Sequence, residues 1–170
     1  LSLENGKITG TPTTKGNTTS VIEVTGKNKT KAELTLTFEI AASDKLYVDS
    51  KNGNDSYSGF EENKPLKTME AALEKASDDK QTTIYVSGDV YFGEETLYTI
   101  TKPVHFTGRD NGRLVMQSDL SFDADTLFDH IKIDVNGVRY MYANGHHFEF
   151  GDGMEIIPLE EKYNNNLSLY

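Results

Sequence analysis

The chain has 170 residues, no cysteine and a formal net charge of −10 at pH 7. Without cysteine it has neither disulfides nor cysteine-ligated metal centres, and its acidic charge argues against nucleic acid and anionic membrane surfaces as partners. No apolar run is long enough to insert in a membrane, and 36% hydrophobic residues suit an elongated or two-part protein. Because the chain begins with LSLENG rather than Met, we expect it to be one part of a longer protein with further domains.

Positions 1–42 are predicted to form β-structure. In KAELTLTFEI, apolar residues from Ala32 to Ile40 alternate with polar ones along the whole stretch, which is typical of a half-buried strand. TTSVIEV predicts a second long strand, TGKNKT the turn between the two, and GKITGTP a short strand upstream. Two or three such strands are not stable alone in water, so they require further strands, another protomer or the following domain.

This segment resembles the C-terminal part of an immunoglobulin-like domain of bacterial surface proteins. The family pattern L…G.I.GTPT..G is matched by Leu3, Gly6, Ile8, Gly10, Thr11, Pro12, Thr13 and Gly16. The resemblance implies a partial immunoglobulin-like β-domain at residues 1–42, which serves as a spacer or adhesive unit and has no catalytic residues. Residues 43–45 then read as a linker.

The stretch YVDSKNGNDSYSGFEENKPLKTMEAALEKA begins a second domain, predicted at residues 46–170. It starts like a strand, passes through a loop rich in Asn, Asp, Ser and Gly, and ends in a helical pattern. Leu66, Met69, Leu73 and Ala76 recur at helical spacing, and Thr68 is a suitable N-cap. The pattern predicts a short amphipathic helix at about residues 66–77.

Short apolar bursts follow the helix, and most of them end in Gly. Ile84, Val104, Ile131 and Phe148 mark successive bursts, and their mean spacing is close to the ~20–29 residues of a solenoid turn. Short strands without a second helical pattern favour an all-β solenoid. Because the spacing is irregular, a small α+β domain is the alternative fold.

The stretch from Tyr47 to Ala76 also resembles the entry segment of right-handed parallel β-helix proteins of the pectate-lyase-like superfamily. The matching residues are Tyr47, Val48, Gly53, Asp55, Gly59, Pro65, Lys67, Thr68, Ala71, Ala72 and Ala76. The resemblance implies the N-terminal part of a right-handed parallel β-helix. An apolar core that is open at its first coil needs a lid, and Leu66, Met69 and Leu73 on the helix would supply one.

The polar loop before the helix has two interpretations. In the first it is structural, since Gly allows positive φ and Asn and Asp side chains bond back to the nearby backbone. In the second it binds Ca²⁺ through the hard oxygen ligands Asp49, Asn52, Asn54 and Asp55, although the spacing does not fit an EF-hand. Calcium is the one cofactor for which the sequence offers candidate ligands.

Two further groups are candidate ligand-binding residues. In NGHHFEFGDG, His147 and Glu149 share one face of an extended strand and can contact a sugar or a metal together. Tyr140 and Tyr142, with Tyr163, can form a platform on which a sugar stacks. The alternatives are a solenoid strand with polar residues outside, and tyrosines packed within the fold.

No catalytic residue is assigned. SFDADTLFDHIKID is rich in the carboxylates that glycoside hydrolysis requires, but an acidic loop in an acidic protein explains it equally. The resemblances together imply an extracellular protein of the bacterial cell surface that acts in adhesion or scaffolding by binding a polysaccharide or a host glycoprotein. The alternatives are the start of a polysaccharide lyase or glycoside hydrolase, and a spacer that binds nothing.

Overall fold

The computed structural model describes residues 2–5, 7–9, 16–40, 44–93, 96–157 and 166–170. By its internal contacts the chain divides into two compact units, Leu1–Ala42 and Ser43–Tyr170.

The described part of the first unit consists of two antiparallel hairpins. Strands β1 (Ser2–Glu4) and β2 (Lys7–Thr9) form one, and β3 (Gly16–Thr25) and β4 (Lys31–Ile40) form the other. The two long strands and the turn between them therefore lie where the sequence predicts them. On β4 the alternation is visible in Leu36, Phe38 and Ile40, which are half-buried while their neighbours are exposed. Two hairpins are not a sandwich, so the described strands do not establish an immunoglobulin-like domain.

The second unit is built from short parallel strands and one short helix. Its elements are β5 (Lys45–Asp49), α1 (Met69–Lys75), β6 (Thr82–Phe92), β7 (Leu97–Ile100), β8 (Val104–Met116), β9 (Asp119–Phe122), β10 (Thr126–Asp129), β11 (Lys132–Asp134), β12 (Val138–Tyr142), β13 (Phe148–Phe150), β14 (Glu155–Ile157) and β15 (Asn166–Leu169).

These strands stack as a parallel β-solenoid of about three turns. The first wall contains β5, the front halves of β6 and β8, then β10 and β13. The second wall contains the back halves of β6 and β8, then β11 and β14. The third wall contains β7, β9, β12 and β15. The fold is all-β with a short helix, and the alternative of a small α+β domain is wrong.

On the first wall the solenoid repeat is regular, and this regularity was not apparent from the sequence. Thr82, Val104, Thr126 and Phe148 lie side by side on successive coils, and the interval between them along the chain is constant. The predicted spacing is irregular because it pairs Val104 with Ile131, which lies in the corner between β10 and β11. The true counterpart, Thr126, is fully buried although polar, and its hydroxyl donates to the Ala124 carbonyl at 3.1 Å.

An apolar ladder fills the interior behind the first wall. Leu46, Ile84, Phe106, Phe128 and Phe150 occupy equivalent positions on five successive strands. The first four are fully buried, and the ring centroids of Phe106 and Phe128 are 5.0 Å apart in a stacked arrangement. Stacked apolar side chains bury large areas at each coil and thereby fix the register between coils.

Helix α1 closes the end of this core. Met69 is fully buried and Leu73 is 7% exposed, while Leu66, also fully buried, forms an isolated parallel bridge with Val48. The predicted burial of these three side chains is therefore confirmed, but Leu66 precedes the helix instead of belonging to it. The helix is shorter than predicted because Thr68 is the N-cap and Ala76 leaves helical geometry, with ψ at 155°.

Charged side chains join adjacent coils on the second wall. The Arg113 guanidinium on β8 bonds both carboxylate oxygens of Asp89 on β6, at 2.9 and 2.6 Å, and one oxygen of Asp134 on β11 at 3.2 Å. One arginine thus connects three successive coils. The forked geometry suits this task, because guanidinium donors match carboxylates in pairs.

Candidate functional site

Three tyrosines gather on the outer face of the third wall. Tyr140 and Tyr142 are separated by one residue on β12 and therefore point to the same side. Tyr170 directly follows β15, whose register places it beside Tyr142 on the next coil. The ring centroid of Tyr142 is 6.3 Å from that of Tyr140 and 5.6 Å from that of Tyr170, with interplanar angles of 27° and 22°.

This tyrosine cluster (Tyr140, Tyr142 and Tyr170) is accessible from solvent. Tyr140 and Tyr142 are half-buried, whereas Tyr170 is 70% exposed. The sequence predicted the first two members but proposed Tyr163 as the third, and Tyr163 lies outside the described residues. Tyr170 was missed because the chain between Tyr142 and Tyr170 is longer than one coil of the first wall, so no constant repeat length connects them.

A polar rim lies next to the cluster, on β9 and in the turns that follow β9 and β12. One Asp119 carboxylate oxygen accepts the backbone N–H of Tyr140 at 3.0 Å. The Asn144 side-chain amide donates to the Ser121 hydroxyl and to the Asp123 carboxylate, both at 2.7 Å. We call Asp119, Ser121, Asp123 and Asn144 the polar rim.

The environment of Tyr142 disfavours ionisation of its hydroxyl. Desolvation, followed by the negative charge of Asp119 and the neighbouring tyrosines, raises the pKa of Tyr142 above its usual value. A phenol that remains protonated can both donate and accept a hydrogen bond, as can the hydroxyl groups of a sugar. Aromatic faces beside a polar rim form an amphipathic surface that suits ligands of mixed polarity.

His147 and Glu149 come together as the sequence predicts. The His147 Nε2 atom lies 3.0 Å from a Glu149 carboxylate oxygen at the start of the first wall's last described strand, and both side chains are exposed. Phe148 and Phe150 of the same strand pack against the core. The pair belongs to the first wall and the tyrosine cluster to the third, with the turn at 143–146 between them.

The predicted calcium ligands bond to their own chain. Asp49 accepts the N–H groups of Lys51 and Asn52 and the Asn52 side-chain amide, each at 2.9 Å. Burial acts to raise the pKa of Asp49, but these hydrogen bonds outweigh it and lower the pKa. Asn54 accepts the N–H of Ser56 at 2.9 Å.

Asp55 connects the loop to the cap. Its carboxylate accepts the N–H groups of Lys67 and Thr68 at 2.8 and 3.0 Å and the Thr68 hydroxyl at 3.1 Å. In the described part of the chain, no three His, Cys, Asp or Glu residues are grouped closely enough to hold a metal ion. These contacts give the loop a structural role, while calcium binding by the four residues stays a prediction.

Sequence reasoning missed a second outward-facing cluster, on the first wall. The rings of Tyr47 and Tyr85 stack with centroids 5.0 Å apart, and the Arg109 guanidinium carbon lies 5.8 Å from each centroid. Arg109 is also paired with Glu62. Only the strand register reveals this cluster, because its members come from three different coils.

Beside it, His105 and Asp129 form a partly buried pair. The His105 Nε2 atom and one Asp129 carboxylate oxygen contact each other at 2.9 Å. Burial acts to raise the pKa of Asp129, but contacts with Thr107 and His105 and the charges of His105 and His130 outweigh it and lower the pKa. The pair joins two adjacent coils, since His105 lies on β8 and Asp129 on β10.

The carboxylates of the acidic segment are distributed over a turn and two walls. Asp123 and Asp125 lie in the turn before β10, Asp129 faces outward on the first wall, and Asp134 is bound to Arg113 on the second wall. Asp129 and Asp134 therefore have different partners on different walls.

Comparison with known protein families, with curated proteins and with solved structures found no match. Neither resemblance drawn from the sequence is thus supported by a related protein. Within the described residues, no helix is both long and apolar enough to cross a membrane. The functional assignment therefore depends on the side chains of the two units themselves.

Proposed function

We propose that this chain is a carbohydrate-binding segment of a secreted or cell-wall-attached bacterial surface protein, with a role in adhesion or scaffolding. The tyrosine cluster on the third wall is the observation that carries the proposal. Its ligand would be a polysaccharide or a host glycoprotein. An acidic, cysteine-free chain is compatible with an extracellular location at the bacterial surface.

The chemistry of the cluster supports a sugar ligand. A pyranose ring has apolar C–H faces and a periphery of hydroxyl groups, so it needs aromatic faces and hydrogen-bonding groups side by side. The three tyrosines supply the first, and Asp119 and Asn144 on the polar rim supply the second. Because strands rather than a loop hold two of the rings, they are already positioned and binding loses little side-chain entropy.

The finer architecture belongs to the same proposal. We take the solenoid to be the N-terminal part of a right-handed parallel β-helix of the pectate-lyase-like type, since the stretch that carries the resemblance forms strand β5 and the capping helix. We take residues 1–42 to be immunoglobulin-like strands that extend the chain from the surface. His147 and Glu149 are a second ligand-binding prediction on the neighbouring wall.

Glycan binding by the full chain tests the proposal. Wild type should bind members of a neutral and acidic glycan array, and Tyr142→Ala should weaken that binding by about tenfold or more, since it removes the central ring. Tyr91→Ala is the matched control, because Tyr91 is 56% exposed and lies on the second wall. If no glycan binds, or if both variants weaken binding equally, the tyrosine cluster is not a sugar site and the spacer alternative gains support.

A further inference from the structure

We infer that the tyrosine cluster selects neutral glycans and rejects acidic polysaccharides such as polyuronates. The inference rests on the proposed function, because it concerns the same site.

Among the residues that the structure describes, a carboxylate is in contact with the cluster. Asp119 is bound to the backbone of Tyr140, and its charge acts on the Tyr142 hydroxyl. The Asn144 amide bridges Asp123 to the Ser121 hydroxyl, and Ser121 pairs with Tyr142 in the strand register. A ligand carboxylate at this surface would therefore meet the Asp119 carboxylate, and Asp123 adds a second negative charge on the polar rim.

The nearest cation along the strand is directed elsewhere. Arg139 precedes Tyr140 on β12, and adjacent residues of a strand point to opposite faces. One of its terminal nitrogens donates to the Gln117 carbonyl at 3.2 Å, in the corner that precedes β9. On the first wall, Arg109 is already paired with Glu62, so it is a poor anchor for an acidic sugar there.

Carboxylates favour neutral sugars for a positive reason as well. An ionised carboxylate only accepts hydrogen bonds, and sugar hydroxyls are donors, so the rim matches a polyol. A uronate loses this match at its acid group and adds repulsion between like charges. The net charge of −10 strengthens the repulsion over the whole surface.

Polygalacturonate and its fully methyl-esterified form are the probes, because they share one sugar backbone and the ester replaces each carboxylate with an uncharged group. With EDTA present and at low ionic strength, the ester should bind the full chain roughly tenfold more tightly than the acid. Raising the ionic strength should narrow this ratio, since salt screens exposed charges. Tyr142→Ala should weaken binding of the ester, which assigns it to the cluster.

Asp119→Asn separates the local charge from the overall charge. This substitution should reduce the ratio of the ester's affinity to the acid's affinity about threefold, because the charge at position 119 is removed. The amide oxygen can still accept the Tyr140 N–H, so the backbone contact is retained. Asp79→Asn is the control, since it changes the net charge equally at an exposed site beyond the capping helix. This control should leave the ratio unchanged.

The outcomes distinguish the inference from the proposal beneath it. If the acid binds as tightly as the ester or more tightly, the cluster does not select neutral glycans, although it remains a sugar site. The same conclusion follows if the acid binds once Ca²⁺ replaces EDTA. Equal effects of Asp119→Asn and Asp79→Asn overturn the local mechanism. If neither polymer and none of the neutral glycans binds, the proposed function itself is wrong.

Discussion

Replacing Met69 with alanine should destabilise the solenoid from its capped end. Met69 begins helix α1 and is fully buried beside Leu66 and Ala72, which are also fully buried. Truncating a buried methionine costs about 2–5 kcal/mol, from lost burial and from the cavity that remains. We expect about 3 kcal/mol, because the cap joins one helix to several strands and cannot collapse onto the gap.

Thermal and urea unfolding measured by far-UV circular dichroism would test this value. For a unit of this size, about 3 kcal/mol corresponds to a fall of about 10 °C in Tm. Amide hydrogen exchange should show where the loss occurs, with the largest acceleration in α1, β5 and β6. These elements are in contact with each other at the closed end of the core.

Glu74→Ala is the matched control for this experiment. It introduces the same residue into the same helix at an exposed position, so it retains the helix propensity of alanine without creating a cavity. If Met69→Ala and Glu74→Ala unfold within about 2 °C of wild type, then α1 does not close the core and our reading of the cap is wrong.

Three further predictions concern the polar contacts. Asp55→Ala should lower the free energy of unfolding by about 1–2 kcal/mol and accelerate amide exchange in α1, whereas Asp55→Asn should lose less because it keeps an acceptor oxygen. Arg113→Gln should lower the free energy of unfolding in urea by about 1 kcal/mol at low salt and by less at high salt. A loss that does not depend on salt would show that the substitution removes packing contacts and not charge interactions. Because the pKa of Asp129 is lowered in the folded protein, its contribution to stability is present above its unfolded pKa of about 4 and disappears as pH falls through the folded value. Asp129→Asn should therefore flatten the dependence of Tm on pH below about 4, and identical profiles would contradict this linkage.

The sequence predicted those parts of the fold in which local and tertiary preferences agree. The capping helix could be identified because Met69, Ala72 and Leu73 follow a helical period and all three are buried. The two long strands of the first unit could be identified because alternation in KAELTLTFEI continues along the whole of β4. Helix bounds were less certain, since the switch to extended backbone at Ala76 depends on how the chain meets β6.

The repeat was hidden because polarity and burial disagree at key positions. Thr82 and Thr126 are fully buried members of the first wall, so a search for apolar residues passes over both of them. Phe106, Phe128 and Phe150 carried the signal instead, with one phenylalanine at the same position of each successive coil.

For the site, Tyr140 and Tyr142 were visible as neighbours on one strand. Tyr170 and Asp119 come from other coils, and only the register of β12 with β15 and β9 brings them to the same surface. Sequence distance carries no information about such pairs when the turns between coils differ in length.

The parallel coils turn each outer wall into a two-dimensional lattice. Neighbouring positions are about 4.8 Å apart from coil to coil and about 6.6 Å apart along a strand, and the tyrosine rings follow this lattice with separations of 5.6 and 6.3 Å. Inserting one more coil would add a lattice row without disturbing those already present. A protein of this design could thus lengthen a binding surface in equal steps, to match a polymer that repeats along its own axis.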